Sequence, residues 1–211
     1  MKTTHTLSGL LVSSLFASSA SFAANDNLPQ IQSDWAHCQY QVEPNKAQVQ
    51  CFEQLIELNY QAVNNDPKDL ELQVWLAINK ASLAGAKGGL SALRLAKEAK
   101  QLLEQVIDKN PKTLDGSAYT SLGSLYYKVP GWPIGFGDDD KAEAMLKQAL
   151  ALNPDGIDPN YFYGDFLAED GRKQQAIEYL TRAQQAAARP DRPLADKGRQ
   201  QQIALRLESL K

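Results

Sequence analysis

Few side chains in this sequence can do catalytic or ligating chemistry, and their spacing narrows what that chemistry could be. The only histidines are His5 and His37. His5 falls in an N-terminal segment expected to be removed, which leaves one imidazole. That excludes multi-histidine metal sites and argues against a Ser-His-Asp or Cys-His engine, so no catalytic residue is assigned. Cys38 and Cys51 flank Val42-Glu43-Pro44-Asn45, which reads as a turn between two helices. The two cysteines are equally far from the middle of that turn, so an antiparallel hairpin would set them level. A structural disulfide is the leading reading. Two buried free thiols stay open, and a redox pair finds no Cys-x-x-Cys to support it. Asp138-Asp139-Asp140 lacks the spacing and terminal Glu of a calcium loop, so capping of a following helix is expected and no metal or cofactor is assigned.

The stretch from Tyr126 to Asp140 combines Pro130, Pro133, Gly131, Gly135 and Gly137 with Tyr126, Tyr127, Trp132, Ile134 and Phe136. Proline stiffens such a segment, glycine permits tight turns, and the large apolar side chains need somewhere to go. One reading is a preformed lip on which Trp132 contacts a ligand or partner. The other is a plug in which Trp132, Ile134 and Phe136 all turn inward, and Ile134 and Phe136 are expected to do so.

Positioning these residues is the task of a chain of 211 residues with 43% hydrophobic and 22% charged content. A chain of this size buries roughly 70% of its unfolded surface and needs no metal to hold it together. The net charge of −3 and the absence of a long Lys/Arg run leave no electrostatic footprint for nucleic acid. Lys2, the apolar run from Leu7 to Phe22 and the small residues of Ser21-Phe22-Ala23 predict a secretory signal peptide over residues 1–23, hence a periplasmic protein. No Cys follows that cleavage point, so no lipid anchor is expected. No other segment is long and apolar enough to span a membrane.

The middle of the sequence repeats. Asp66-Pro67, Asn110-Pro111 and Asn153-Pro154 end helix-like stretches, and Pro190 follows a fourth. Pro67-Lys68-Asp69-Leu70 runs parallel to Pro111-Lys112-Thr113-Leu114. Ala99, Ala142 and Ala176 are each followed four residues later by Leu103, Leu146 and Leu180. Tyr119, Leu122, Gly123 and Tyr126 share the helix-like stretch that opens the second unit. This pattern resembles the tetratricopeptide repeat, in which two antiparallel helices, A and B, cross at small residues and stack on the next pair. Gly164 is the crossing residue of the best unit, Gly123 that of the second, and Asn79 stands in its place in the first.

The resemblance implies an all-α, right-handed superhelix of antiparallel helix pairs. Its expected parts are a flexible leader at 24–33, an N-terminal helical hairpin at 34–66, repeats at 67–110, 111–153 and 154–190, and a C-terminal capping helix at 191–211. The cap should present Lys197, Arg199, Gln200, Gln201 and Arg206 to solvent while Ile203, Leu207 and Leu210 face inward. The resemblance further implies a concave, non-catalytic protein-binding groove lined by helix A. Carried over, that face comprises Gln73, Lys80, Ser117, Thr120, Ser124, Tyr127, Lys128, Asp158, Tyr161, Asp165 and Glu169. Lys80, Tyr127, Lys128, Trp132, Tyr161, Asp165 and Glu169 are the candidate binding residues, although solvated polar positions would look the same. The Lys, Asn and Arg set that grips a peptide's C-terminal carboxylate is missing from this face. The run from Lys128 to Asp138, together with Asn153-Pro154-Asp155-Gly156-Ile157-Asp158-Pro159-Asn160-Tyr161-Phe162-Tyr163-Gly164, also resembles exported proteobacterial repeat proteins classed with the T component of tripartite ATP-independent periplasmic transporters. That likeness implies a transport accessory that docks a periplasmic substrate-binding protein and passes it a small hydrophobic ligand.

Overall fold

Proline writes the boundaries between helices. Asp66, Asn110 and Asn153 close their helices by donating backbone N–H to Ala62, Val106 and Ala149, and the proline that follows each has no N–H to continue the ladder. The computed structural model describes residues 27–211. Among these, the helices are α1 (Asn27–Tyr40), α2 (Lys46–Asn65), α3 (Leu70–Lys87), α4 (Gly89–Lys109), α5 (Ser117–Lys128), α6 (Asp139–Leu152), α7 (Ile157–Glu169), α8 (Lys173–Gln185) and α9 (Pro193–Ser209). The described residues hold no strand beyond one isolated bridge, between Gly131 and Gly137. The expected signal peptide lies outside the described residues.

The helices pack as consecutive antiparallel pairs in an all-α superhelix, with α3/α4, α5/α6 and α7/α8 the most intimate. Their shared interior is the alanine–leucine series read from the sequence: Ala99, Ala142, Ala176, Leu103, Leu146 and Leu180 are all fully buried. Glycine is required where the pairs cross. A Cβ on Gly164 would lie 2.8 Å from Leu180 Cγ and 3.0 Å from the Leu180 backbone nitrogen; one on Gly123 would lie 2.7 Å from Leu146 Cγ. Asn79, the departure in the first unit, is buried and donates to Asn59 Oδ1 at 2.9 Å, while Asn59 donates to the Leu72 carbonyl. An amide pair between α2 and α3 thus occupies the place of the small residue.

The parallel between the first two units breaks at one point. Asp69 caps α3 by accepting from Glu71 and Leu72, whereas Thr113 turns its hydroxyl back to the Asn110 carbonyl. Leu114, Asp115 and Gly116 then take left-handed conformations, and α5 starts only at Ser117.

Two expectations at the ends are corrected. Residues 24–33 are not a flexible leader from Asn27 onward: they are the start of α1, with Ile31 fully buried. Pro29 sits in the first turn, where no intrahelical bond is lost. The cap is not a solvated outer helix either. α9 packs on α8 and α7 and also on α1, so the last helix touches the first. Gly198 makes this approach possible, since a Cβ there would fall 2.3 Å from the Tyr40 ring. Arg199 is buried and Arg206 reaches Asp165, while Lys197 and Gln201 are exposed as expected.

Cys38 and Cys51 form a disulfide joining α1 to α2. The Gln48 side chain donates to the Cys38 carbonyl and Asn45 caps α2. Breaking this bond with Cys38→Ser/Cys51→Ser should cost about 3 kcal/mol of unfolding free energy, the loop-entropy value for a short loop, read by urea denaturation. Gly164→Leu should overpack the α7/α8 crossing and lower stability by about 1–3 kcal/mol in the same measurement.

Candidate functional site

Because α9 returns to α1, the concave face is a central cavity rather than an open groove. Its volume is about 1080 Å³. The α3/α4 wall supplies Trp75, Ile78, Leu93 and Ala96, α1 supplies Trp35, and α7 supplies Phe162. The α5 wall carries Ser117, Thr120, Ser121, Ser124 and Lys128, and the mouth is bordered by Leu90 and Ile134. Trp35 is fixed by an indole hydrogen bond to Ser82 Oγ at 2.9 Å and by edge contact with Trp75.

The segment between α5 and α6 forms one lip of the mouth. Its backbone folds on itself: Gly137 donates to the Pro130 carbonyl, Asp138 to the Tyr126 carbonyl, and Ile134 to the Gly131 carbonyl. Cβ atoms on Gly135 and Gly137 would stand 2.3 Å and 2.0 Å from the Pro130 and Val129 carbonyl oxygens, which is why glycine is needed at both. The Trp132–Pro133 bond is cis. Phe136 packs edge-on against Tyr126, as expected. Ile134 does not turn inward but is 66% exposed, and Trp132 is 89% exposed. The backbone contacts already fix the corner, so no apolar plug is required, and Trp132 faces solvent. Asp138 caps α6 by accepting from the Lys141 backbone N–H.

Of the carried-over groove residues, Ser117, Thr120, Ser124, Lys128 and Asp158 border the cavity, while others have other employment. Gln73 donates to the Pro67 carbonyl, closing the loop before α3, and Asn160 does the same for Pro154. Lys80 faces away from the cavity and pairs with Glu98 at 2.5 Å. That hydrogen bond from Lys80 holds the Glu98 carboxyl below its ordinary range. Tyr127 donates its hydroxyl to Asp165 at 3.0 Å, and Asp165 also accepts from Lys128 and Arg206. Burial and the Asp165 carboxylate push the Tyr127 hydroxyl well above its usual value. Burial would lower Lys128, but its contacts with Glu169 and Asp165 reverse that and raise it. Tyr161 carries the Arg199 guanidinium over its ring at 4.3 Å. Of the candidate binding residues, Lys128 alone borders the cavity. Tyr127, Tyr161 and Asp165 form a polar seam between α5, α7 and α9 instead, with Glu169 at its exposed edge.

A second ionic cluster closes the ring. Asp158 Oδ2 accepts from Arg189 at 2.7 Å and Oδ1 from Arg199 at 2.8 Å, and Arg189 also engages Asp196. Burial alone would raise the Asp158 carboxyl, but Arg199 and Arg189 outweigh it and hold the group well below the usual carboxylate range. Trp35, Arg189 and Arg192 are cavity residues that the sequence does not single out, and Arg199, expected in solvent, joins them. The available signal is the row of arginines around Pro190 and Pro193, where the prolines announce only a helix break.

A tetratricopeptide repeat family model matches residues 134–197. The fold is similar to that of TTC0263, a thermophilic TPR protein of Thermus thermophilus, at 19% identity over 86% of each chain with a TM-score of 0.58. The structure of MamA aligns at 19% identity over 76% of this chain and 86% of that one, with a TM-score of 0.45. No curated protein sequence matches the chain. The fold is therefore an all-α tetratricopeptide-like superhelix.

Asp158→Asn leaves two guanidiniums without their shared carboxylate and should cost about 3 kcal/mol in urea denaturation. Because the folded-state pKa of Asp158 is depressed, its contribution is present above the ordinary carboxyl pKa and is lost as pH falls below about 4. The wild type should therefore lose more stability than Asp158→Asn between about pH 5 and pH 2.

Proposed function

We propose that the chain is an exported, non-catalytic binding module that meets a protein partner at the apolar rim of its central cavity. The observation that carries this reading is the rim. Leu90 and Ile134 border the cavity and are 86% and 66% exposed, and Trp132 beside them is 89% exposed. Single exposed apolar residues are ordinary, but here three stand on adjoining elements: a Cβ on Gly135 would lie 3.3 Å from Leu93, one turn along α4 from Leu90. A tryptophan held outward on a pre-shaped loop has much area to bury and little conformational freedom to lose.

Export to the periplasm is supported by the signal-peptide pattern and by the Cys38–Cys51 disulfide. Among the described residues no helix is long and apolar enough to cross a membrane. A second reading, a transport accessory akin to the T component of tripartite periplasmic transporters, is favoured by the cavity itself. In that reading the cavity carries a small hydrophobic ligand and the rim docks a substrate-binding protein.

A photoreactive residue at position 132, placed in the exported protein in its native envelope, should give one discrete cross-linked species. The same group at position 205, which is 72% exposed on α9, should not. Equal cross-linking from both positions, or none from 132, would count against the rim.

A further inference from the structure

The corner of the cavity between α3 and the segment leading into α9 is densely charged, and holds the carboxylates of Asp158, Asp191 and Asp196. Three arginines, Arg189, Arg192 and Arg199, stand there. Each oxygen of Asp158 is taken by Arg199 or Arg189, and both oxygens of Asp196 are taken by Arg189, one by its side chain and one by its backbone N–H. Arg192 is left over. Among the described residues it makes no ion pair and no side-chain hydrogen bond, and its Nε is buried without an acceptor. Its guanidinium lies over the Trp75 ring, 4.9 Å from the centroid. The Trp75 indole N–H is also buried and has no acceptor. Burial, and then repulsion from Arg189, lower the Arg192 pKa, and the Asp158, Asp196 and Asp191 carboxylates offset only part of that.

Arg192 and Trp75 stack on each other and both residues line a mainly apolar cavity; two donors without acceptors there call for an anionic acceptor joined to an apolar body. We propose that the central cavity binds a long-chain monocarboxylate, with the carboxylate at Arg192 and the Trp75 indole N–H and the alkyl chain along Ile78, Leu93, Ala96 and Phe162. A carboxylate matches a guanidinium through paired, charge-assisted hydrogen bonds, and away from bulk water that pairing is stronger than at the surface. The volume, about 1080 Å³, stands at the upper end of pockets that hold small molecules, roughly 300–1,000 Å³, and leaves room for an extended chain. A peptide's C-terminus would offer the same head but bring backbone amides against the α3/α4 wall, where Trp75, Ile78, Leu93 and Ala96 give them no partners. The Arg192 anchor follows α8 and is not a helix A position, while Ser117, Thr120, Ser124, Lys128 and Asp158 of the groove reading border the same cavity. The proposal rests on the reading of the cavity as a ligand site.

The test is calorimetric titration of the exported, disulfide-bonded protein with dodecanoate, with dodecanol, and with a short leucine-rich peptide bearing a free C-terminus. Wild type should bind one dodecanoate at least tenfold more tightly than dodecanol or the peptide. Arg192→Gln should lower dodecanoate affinity at least tenfold and leave dodecanol unchanged, Arg192→Lys should restore part of the loss, and Trp75→Phe should cost severalfold with the same selectivity. Ala96→Trp, which fills the cavity, should abolish both alkyl ligands. If dodecanoate and dodecanol bind equally and Ala96→Trp removes both, the cavity is a ligand site but the anchor is wrong. If neither binds, or if dodecanoate binding survives Ala96→Trp, the cavity reading fails and takes the anchor with it. Tighter binding of the peptide overturns the choice of ligand. Circular dichroism and a thermal melt on each variant separate lost binding from lost fold; should Arg192→Gln unfold, Arg192→Lys and Trp75→Phe decide the matter through the dodecanoate-to-dodecanol ratio.

Discussion

Asp158 faces two guanidiniums from the chain that follows α8, and the closed shape of the molecule depends on that arrangement. A stack of helix pairs has no intrinsic reason to end where it began, because each pair buries its apolar stripe against its neighbours only. Here the segment after α8 is pinned by Arg189 to both Asp158 and Asp196, and α9 is pinned by Arg199 to Asp158 and by Arg206 to Asp165. These contacts orient α9 so that Gly198 can approach Tyr40 on α1. Hydrophobic burial supplies most of the energy of such contacts but is non-directional. The charged cluster supplies the direction, and the cavity exists because that direction leads back to the first helix.

The helix pairs are legible in the sequence because they depend on local, repeated residue types. Proline after Asp or Asn ends a helix whatever surrounds it, and a glycine or alanine facing a leucine four residues beyond the partner alanine is the mark of a close crossing. Gly164, Gly123 and the buried alanine–leucine series all stand where periodicity puts them. What escapes sequence reading depends on contacts distant in the chain. Arg199 on a helix with a polar face looks like a solvated residue until Asp158, 41 residues earlier, is placed against it. The start of α1 looks like a leader because Asn, Asp, Gln and Pro surround Ile31, and only the burial of that one side chain against the core reverses the impression. The lip is half legible: Phe136 packs because Tyr126 is one element away, while Ile134 stays out because the loop is held by backbone hydrogen bonds that composition does not reveal.

The groove residues carried over from the repeat fare differently, for a reason that reaches beyond this chain. A repeat pattern specifies where a side chain sits on helix A, but not whether its polar atoms are already engaged. Gln73 holds a turn, Lys80 holds Glu98, and Tyr127 and Lys128 both reach Asp165. A polar group already satisfied within the protein gains little by binding a ligand, since it must exchange one hydrogen bond for another. In the proposed function, recognition falls to groups that remain unsatisfied once the internal hydrogen bonds are assigned. On the outside these are the apolar side chains that the fold leaves uncovered, at Trp132, Ile134 and Leu90. On the inside they are donors without acceptors, and Arg192 and Trp75 share one corner. The aliphatic and aromatic wall can hold a molecule in place but cannot orient it, so direction within the cavity must come from that polar corner, as direction in the fold comes from Asp158.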